Sequence, residues 1–454
     1  MKKVTLAQFQ YESRSVPLSA AYLVSGLQRE RIDYSLKIYP KCKLKVTTKG
    51  LYSFLSDSED ILAIGCLSHM LPYLITVLKK IKEQYPKKII ILGGIGPTEA
   101  AEGIMQKFDF VDFIIKGCAI ESLPLLIKKI INNETDVGDV KRLVYRERGA
   151  VKANAYDGFY SEQTVTTVPA YQYITQSNTF DKFDMMTSFG CLYRCTYCYL
   201  TPLAKRKVAY RPLEDVAQEI GLIKSIKKND RFFLRLTDEA FILRRDRVIA
   251  FCKMLKKLRL RLSWNCYGRV DRMDEELIKT LARHGCTGLY YGIESGSDRI
   301  LREARKGFCI EDAQKILLLS KKYIKYVTAS FIYLYPFETV NDFCQTFAMK
   351  KYFESKGIKT QLHTITPVKN SEIYRKYKDT LRLYDKAPST HHGSLKNLPE
   401  DCLALVRQDP DIFYFYYTYY FNELEPILST YRRFKAFYNK RIRKAAQAKS
   451  RNAS

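Results

Sequence analysis

Three cysteines fall within one short stretch, GCLYRCTYCYL at residues 190–200: Cys191, Cys195 and Cys198. The stretch holds no fourth cysteine and no histidine. Structural zinc takes four Cys or His ligands, usually as two pairs, and no second CxxC occurs in the chain. Cys195 and Cys198 have the spacing of a redox pair, which leaves Cys191 without a purpose. A cuboidal iron–sulfur cluster normally takes four thiolates. Three leave one iron open, and the spacing suggests that the open place is for a substrate or cofactor.

Such a loop needs a scaffold, and 454 residues imply two or three domains. Hydrophobic content of 46% and charged content of 27% are those of a soluble globular protein. No apolar run approaches the ~20 residues needed to cross a bilayer, so no transmembrane segment is expected. The N-terminus MKKVTLAQFQYES lacks the apolar region of a signal peptide and reads as a first strand. A cytoplasmic location follows as the expectation. In a reducing compartment a tight cysteine cluster binds metal more often than it forms disulfides. The other nine cysteines (Cys42, Cys66, Cys118, Cys252, Cys266, Cys286, Cys309, Cys344 and Cys402) are scattered and mostly in apolar surroundings, as core residues are. The formal net charge of +28 favours anionic partners. It is densest at 431–451, with nine Lys or Arg and no acid.

The first 130 residues alternate apolar runs (VTLAQFQ, YSLKIY, ILAIGC, KIIILGG, VDFIIKG) with segments of helical spacing. Runs with little polar alternation suit strands buried on both faces of a parallel sheet. From Asp184 six more strand candidates recur, separated by helical stretches: DMMTSFG, RFFLRLTD, RLSWNCYG, TGLYYGIE, VTASFIYLY and QLHTITP. The expected class is α/β. An N-terminal doubly wound (Rossmann/flavodoxin-like) parallel sheet occupies 1–135, and a connecting segment 136–180. A (β/α)6-type partial TIM barrel follows at 181–367, then a C-terminal helical, aromatic and basic region at 368–454. Ligands of both folds bind at the carboxyl ends of the strands, and the cysteine stretch follows the first barrel strand. Residues 370–383 read as helical. The aromatic run at 411–428 reads as a buried helix.

The CxxxCxxC loop after the first strand of a barrel resembles the radical S-adenosylmethionine (SAM) superfamily. In that family the open iron chelates SAM, and an electron from a 4Fe–4S cluster cleaves it to an adenosyl radical. The resemblance makes Cys191, Cys195 and Cys198 the cluster ligands, with Tyr197 as the aromatic residue before the third. It implies SAM-binding roles for Thr237, Asp238 and Glu239 after the second barrel strand, and for Arg269 after the third. Gly292, Glu294 and Ser295 follow the fourth. An acid there can hold the SAM ammonium, and Glu294 can accept ribose hydroxyls. An external electron donor of flavodoxin or ferredoxin type is implied as well. One departure stands out: relatives carry a glycine-rich GxPGET turn after the fifth strand, where this chain has YLYPFET (333–339). Its tyrosine and phenylalanine are expected to narrow or reshape the substrate pocket.

The N-terminal sheet resembles the cobalamin-binding module of one branch of that superfamily. The positions implied are Gly65, Ser68, His69, Gly93, Gly94, Gly96, Pro97, Thr98, Gly117 and Glu121. The lower-ligand motif DxHxxG is missing, and His69 is the domain's only histidine. Two readings stay open: cobalamin bound without a protein imidazole, or a docking domain that holds no corrinoid. The function expected is a cobalamin-dependent methyltransferase acting on an unactivated carbon of a small-molecule or peptide substrate. The alternative is a radical SAM epimerase, cyclase or peptide- or RNA-modifying enzyme without working cobalamin, with Cys286 or Cys309 as hydrogen donor. A basic nucleic-acid-binding protein with a structural cluster is the third. His363 and Tyr374 can face the pocket. Phe434, Phe437, Tyr438 and Ile442 can share a helix face, with the opposite face basic enough for an acidic partner.

Overall fold

The computed structural model describes residues 2–11, 14–40, 46–155, 160–174, 180–201, 206–227, 232–260, 262–384 and 395–451, with side chains described as far as 437. Strands β1 (Val4–Phe9), β2 (Tyr34–Tyr39), β3 (Ile61–Gly65), β4 (Ile89–Gly93) and β5 (Phe113–Ile115) pair in parallel, in the order 2-1-3-4-5. Their side chains alternate between two layers, because successive residues of a strand point to opposite faces. Leu6, Ala63, Ile91 and Ile115 meet α1 (Leu18–Arg29) and α6 (Ser122–Ile131). Ala7, Leu62, Ile90 and Leu92 meet α2 (Thr48–Leu55), α3 (Leu71–Gln84) and α5 (Ala101–Lys107), the last preceded by the short α4 (Ile95–Glu99). The chain order reverses between β1 and β3, and an open α/β sheet has its crevice at that switch point.

The segment expected as a connection does more than connect. Strands β6 (Leu143–Glu147) and β7 (Ala150–Ala153) add antiparallel to β5 and widen the sheet to seven strands. The short α7 (Glu162–Thr166) then leads toward the second sheet.

That second sheet is wholly parallel, in the order β8 (Lys182–Met185), β11 (Phe233–Leu236), β12 (Ser263–Gly268), β13 (Cys286–Glu294), β14 (Tyr326–Tyr333) and β15 (Lys359–Thr364). It is the six-stranded partial barrel, with α8 (Leu213–Lys227), α9 (Arg245–Lys257), α10 (Glu275–Arg283), α11 (Asp298–Glu303), α12 (Ile310–Tyr323) and α13 (Val340–Ser355) as crossovers. Beside it β9 (Ser188–Gly190) and β10 (Val208–Tyr210) form an antiparallel pair. Trp264 is fully buried against the edges of Phe241 and Phe251. Five of the scattered cysteines (Cys66, Cys252, Cys266, Cys286 and Cys402) are buried, while Cys118, Cys309 and Cys344 are half-buried. Cys42 lies outside the described residues.

The C-terminal region departs from expectation. After α14 (Glu372–Tyr377), β16 (Leu381–Leu383) takes up residues expected as helix. The tyrosine run is not a helix either: a turn at Tyr414–Tyr416 leads into β17 (Tyr417–Tyr419), which pairs with β16. Aromatic residues favour strands, and Pro426 cannot sit inside a helix that begins at 411. The last helix, α16 (Leu424–Arg451), therefore starts just ahead of that proline. Before these elements, α15 (Glu400–Gln408) packs on α3 through Cys402 and Thr76. Tyr431 of α16 stacks on Tyr333, and Phe434 on Phe347 with centroids 4.6 Å apart. Phe437 is exposed, and the side chains of Tyr438 and Ile442 lie outside the described residues. No described helix is long and apolar enough to cross a membrane.

Under the first barrel strand lies a fully buried charged group. Arg211 pairs with Glu219 of α8, and Tyr171 Oη donates to Glu219 at 2.7 Å and to the Asp184 carbonyl at 2.8 Å. Arg211 also donates to the Met186 carbonyl at 2.8 Å. Removing one member of a buried pair strands the other, at a cost of about 3–5 kcal/mol, whereas replacing both with apolar residues is often neutral. Calorimetric melting is expected to show a large fall for Arg211→Met and for Glu219→Leu singly, and most of it recovered in the double variant.

Candidate active site

The cysteine loop is fastened to three barrel strands in turn. Asp238, just past β11, is fully buried and accepts from Thr187 N at 2.8 Å, Thr187 Oγ1 at 2.7 Å and Ser188 Oγ at 2.6 Å. Burial pushes its carboxyl above the ordinary range, and those three donors oppose the rise. Asp238 thus holds the bend between β8 and β9 and has no face left for a ligand. Its neighbour Glu239 is half-buried, accepts from Gly190 N at 3.1 Å and is pushed up to about 7 by burial. Thr237 bonds back to the Met185 carbonyl through its N–H at 2.8 Å. Gly190 has φ +93°, and a Cβ there would lie 2.3 Å from the Lys207 carbonyl oxygen, so only glycine can begin the loop.

The second fastening is at the end of β12. The Arg269 guanidinium stacks 3.3 Å from the ring centroid of Tyr193, with its Nε on Asp271 at 2.8 Å. The third is at α11, where Thr196 donates N–H to the Ala304 carbonyl at 3.3 Å and Oγ1 to the Glu303 carbonyl at 3.1 Å.

The donor set suits an iron–sulfur cluster. The Leu200 N–H donates to Cys198 Sγ at 3.4 Å, and the Tyr193 N–H faces Cys191, the hydrogen bonds to sulfur that such clusters use. Burial pushes the Cys198 thiol up to about 11, so the thiolate forms with a cation beside it. Among the described residues no three His, Cys, Asp or Glu converge on one ion; a cuboidal cluster takes each thiolate on a separate iron.

At the end of β13 the register shifts between Gly292 and Glu294, and Glu294 has φ +73°. Its carboxylate folds back onto Lys306 Nζ at 3.2 Å, which also reaches Tyr197 Oη at 3.4 Å. A Cβ on Gly292 would stand 2.4 Å from Glu294 Oε1, so that glycine makes room for the acid. Arg269 completes the rim by donating to the Lys306 carbonyl at 2.5 Å. Ser295 is instead buried on Thr346 Oγ1 at 2.9 Å and holds the turn into α11. Cys191, Cys195, Cys198, Tyr197, Glu239, Arg269 and Glu294 therefore gather at one end of the barrel, while Thr237, Asp238 and Ser295 brace it. His363 on β15 meets Gln361 Oε1 at 3.2 Å, and Gln361 also accepts from Tyr290 Oη at 2.7 Å, a polar layer no motif signalled.

The YLYPFET turn packs against Tyr197 of the cysteine loop. Leu334 takes the left-handed conformation, φ +67°, and Tyr335 turns inward, fully buried against Tyr197 and Phe337. Glu338 holds the turn by accepting from the N–H groups of Leu334 at 2.5 Å and Tyr335 at 3.2 Å, and burial pushes it up to about 8.

The N-terminal sheet has an apolar cavity of about 420 Å³ at its carboxyl edge. It runs from Leu6, Ala63 and Ile91 on the strands to Tyr22 on α1, and Met186 and Phe189 of the barrel close it. Gly65, Gly93, Gly94 and Gly117 line it; Ser68, His69, Gly96, Pro97, Thr98 and Glu121 do not. A Cβ on Gly94 would lie 2.7 Å from the Cys66 carbonyl oxygen, and one on Gly96 2.9 Å from the Leu67 carbonyl carbon, so both serve loop-on-loop packing. Thr98 Oγ1 donates to the Gly94 carbonyl at 2.7 Å and accepts from Gly117 N at 2.9 Å. Glu121 accepts from Ser161 and Thr164, holding down the segment whose Tyr160 packs on Phe189 at 4.6 Å. The buried His69 ring sits between Tyr11 and Phe415. The cavity is a crevice open on one side, and its apolar lining and glycine edge fit the insertion of an apolar part of a bulky cofactor.

Residues 185–349 match the family model of the radical SAM superfamily. An uncharacterized methyltransferase of Pyrococcus horikoshii is 24% identical over 335 residues, 71% of this chain and 70% of that protein. A tRNA-2-methylthio-N(6)-dimethylallyladenosine synthase of Sulfurihydrogenibium sp. is 24% identical over 61% of this chain and 60% of its own length. The cobalamin-dependent SAM radical enzyme OxsB, solved with aqua-cobalamin and SAM bound, superposes with a TM-score of 0.64 at 19% identity, covering 84% of this chain and 55% of that one. The radical SAM methyltransferase TsrM of Kitasatospora setae, solved with cobalamin and a 4Fe–4S cluster, does so with 0.67 at 14% identity, covering 89% and 81%. These structures share the fold of this chain.

Glu338 yields a pH test. Its native value of about 8 exceeds the ordinary 4.5, so folding favours the protonated acid. Stability tied to that proton is complete below about pH 4.5 and is lost as pH rises toward 8. Glu338→Gln is expected to melt near the wild type at pH 5 and above it at pH 8.5. Parallel melting curves across that range would contradict the assignment.

Proposed function

This chain carries a radical SAM domain, the mark of a radical SAM enzyme using a 4Fe–4S cluster and SAM, and we propose that it is the cobalamin-dependent kind, transferring a methyl group to an unactivated carbon. The observation that carries the cobalamin assignment is the apolar cavity at the sheet edge, lined by Gly65, Gly93, Gly94 and Gly117. The solved relatives that hold cobalamin share the architecture, and the Pyrococcus relative is named a methyltransferase.

Cys191, Cys195 and Cys198 hold the cluster, which supplies the electron that breaks the SAM sulfonium. Glu239 accepts from the SAM ammonium, Arg269 stiffens the loop through Tyr193, and Glu294 accepts ribose hydroxyls. In the cavity the glycine edges of β3 and β4 would admit a corrinoid, which when bound would supply the methyl-carrying chemistry. His69, the sheet's own histidine, is turned into the aromatic packing and away from the role of a ligand to it. The substrate is a small molecule or peptide that enters between the two sheets. No disulfide links the eleven described cysteines, in keeping with a reducing, cytoplasmic setting. The basic run at 431–451 suits an acidic partner.

The missing DxHxxG histidine favours a competing reading, a radical SAM enzyme whose N-terminal sheet only docks substrate. Anaerobic reconstitution with iron, sulfide and hydroxocobalamin separates the two. About four irons with near-stoichiometric cobalt after desalting is the expected result, with both S-adenosylhomocysteine and 5′-deoxyadenosine formed in turnover. Ala63→Phe, which fills the cavity, is expected to lose the cobalt and keep the iron. Iron without cobalt in the wild type would overturn the cobalamin reading.

A further inference from the structure

We propose that the outer lip of the cysteine loop, centred on Leu192 and Arg194, is the docking surface for an acidic one-electron carrier protein. This rests on the radical SAM reading above. Reductive cleavage of SAM consumes one electron: the sulfonium C–S bond breaks, methionine leaves, and the adenosyl fragment becomes 5′-deoxyadenosine after taking a hydrogen atom from the substrate or the medium. The carrier is oxidised by one electron for each SAM cleaved. That electron must come from outside the reaction, and it must enter close to the cysteines.

The loop has an inner and an outer side. Tyr193, Thr196 and Cys195 are tied inward as described, while Leu192 is 46% exposed and Arg194 is exposed with no ion pair among the described residues. Leu192 adjoins Cys191 directly along the chain. Three further exposed bases without ion pairs among the described residues lie on segments whose backbone touches the loop. Arg206 and Lys207 precede β10, where the Lys207 backbone abuts Gly190. Arg302 sits on the turn of α11 whose carbonyls hold Thr196. The other arginines of this rim are neutralised in place: Arg269 on Asp271 at 2.8 Å and Arg305 on Glu372 at 2.7 Å. The exposed acids beside the lip are Glu303 and Asp271, the latter held by Arg269 and Tyr193.

An exposed leucine on a loop bordered by segments that carry unpaired bases has an apolar centre for close approach and a charged surround for orientation. Such a surround attracts an acidic carrier and steers it in at low salt. A second copy of this chain does not fit, because like charge would meet like.

The test uses reconstituted holoenzyme, SAM and two reductants: an acidic flavodoxin reduced to its hydroquinone, and reduced methyl viologen, a small cation. The readout is the rate of 5′-deoxyadenosine formation. Arg194→Glu is expected to slow the flavodoxin-driven rate about tenfold or more at low salt and leave the viologen-driven rate and the iron content unchanged. Leu192→Ser is expected to show the same selectivity. Calorimetric titration of oxidised flavodoxin into wild type and Arg194→Glu is expected to show a matching loss of affinity, with wild-type affinity falling as salt rises. Equal flavodoxin rates and affinities in wild type and variants would overturn the docking surface, as would an equal loss with both reductants. A wild type that cleaves no SAM with viologen would instead overturn the radical SAM reading beneath it.

Discussion

Everything at the barrel mouth hangs on one buried carboxylate. Asp238 accepts three hydrogen bonds from Thr187 and Ser188, where β8 ends and the chain bends into β9. A charge in the interior is costly unless several donors meet it, so the site is rigid or it does not form. With the bend set, Gly190 turns against Lys207 and the three cysteines are delivered to the rim. The buried Arg211–Glu219 pair holds the carbonyl just before the bend, and so backs the same few residues from below.

The same stretch joins the two halves of the molecule. Met186, one residue before the bend, faces the cavity of the N-terminal sheet, and Phe189, one residue after Ser188, closes it. Only Gly190 therefore stands between Phe189 on the cavity and Cys191. Two further ties hold the halves together. Glu121 secures the segment that carries Tyr160 over Phe189. Tyr414 reaches Glu99, and Tyr416 reaches the His69 carbonyl. The aromatic run near the C-terminus is thus a clamp between domains.

Charge is arranged at two scales. The chain as a whole is strongly basic, yet the groups at the strand ends are acids and tyrosines held by burial, such as Glu239 and Glu294. Exposed charges act over about 10 Å at ordinary ionic strength, so the global excess governs what approaches and the local acids govern what is held.

The sequence by itself determined the parallel strands of both sheets, the cysteine loop and the resemblance to the radical SAM superfamily, because strand runs, helical spacing and CxxxCxxC are local patterns written in consecutive residues. It also marked the residues now found at the rim, including Glu239, Arg269 and Glu294. Tertiary structure decided which of neighbouring residues faces a ligand: Asp238 and Glu239 adjoin in the chain, yet one is consumed by the bend and the other looks into the site. Glycines expected to admit a cofactor divided likewise, Gly65 onto the cavity and Gly96 onto a neighbouring loop. The cavity and the Arg211–Glu219 pair left no trace in the sequence. Each depends on side chains brought together from distant segments, and only packing in three dimensions sets that.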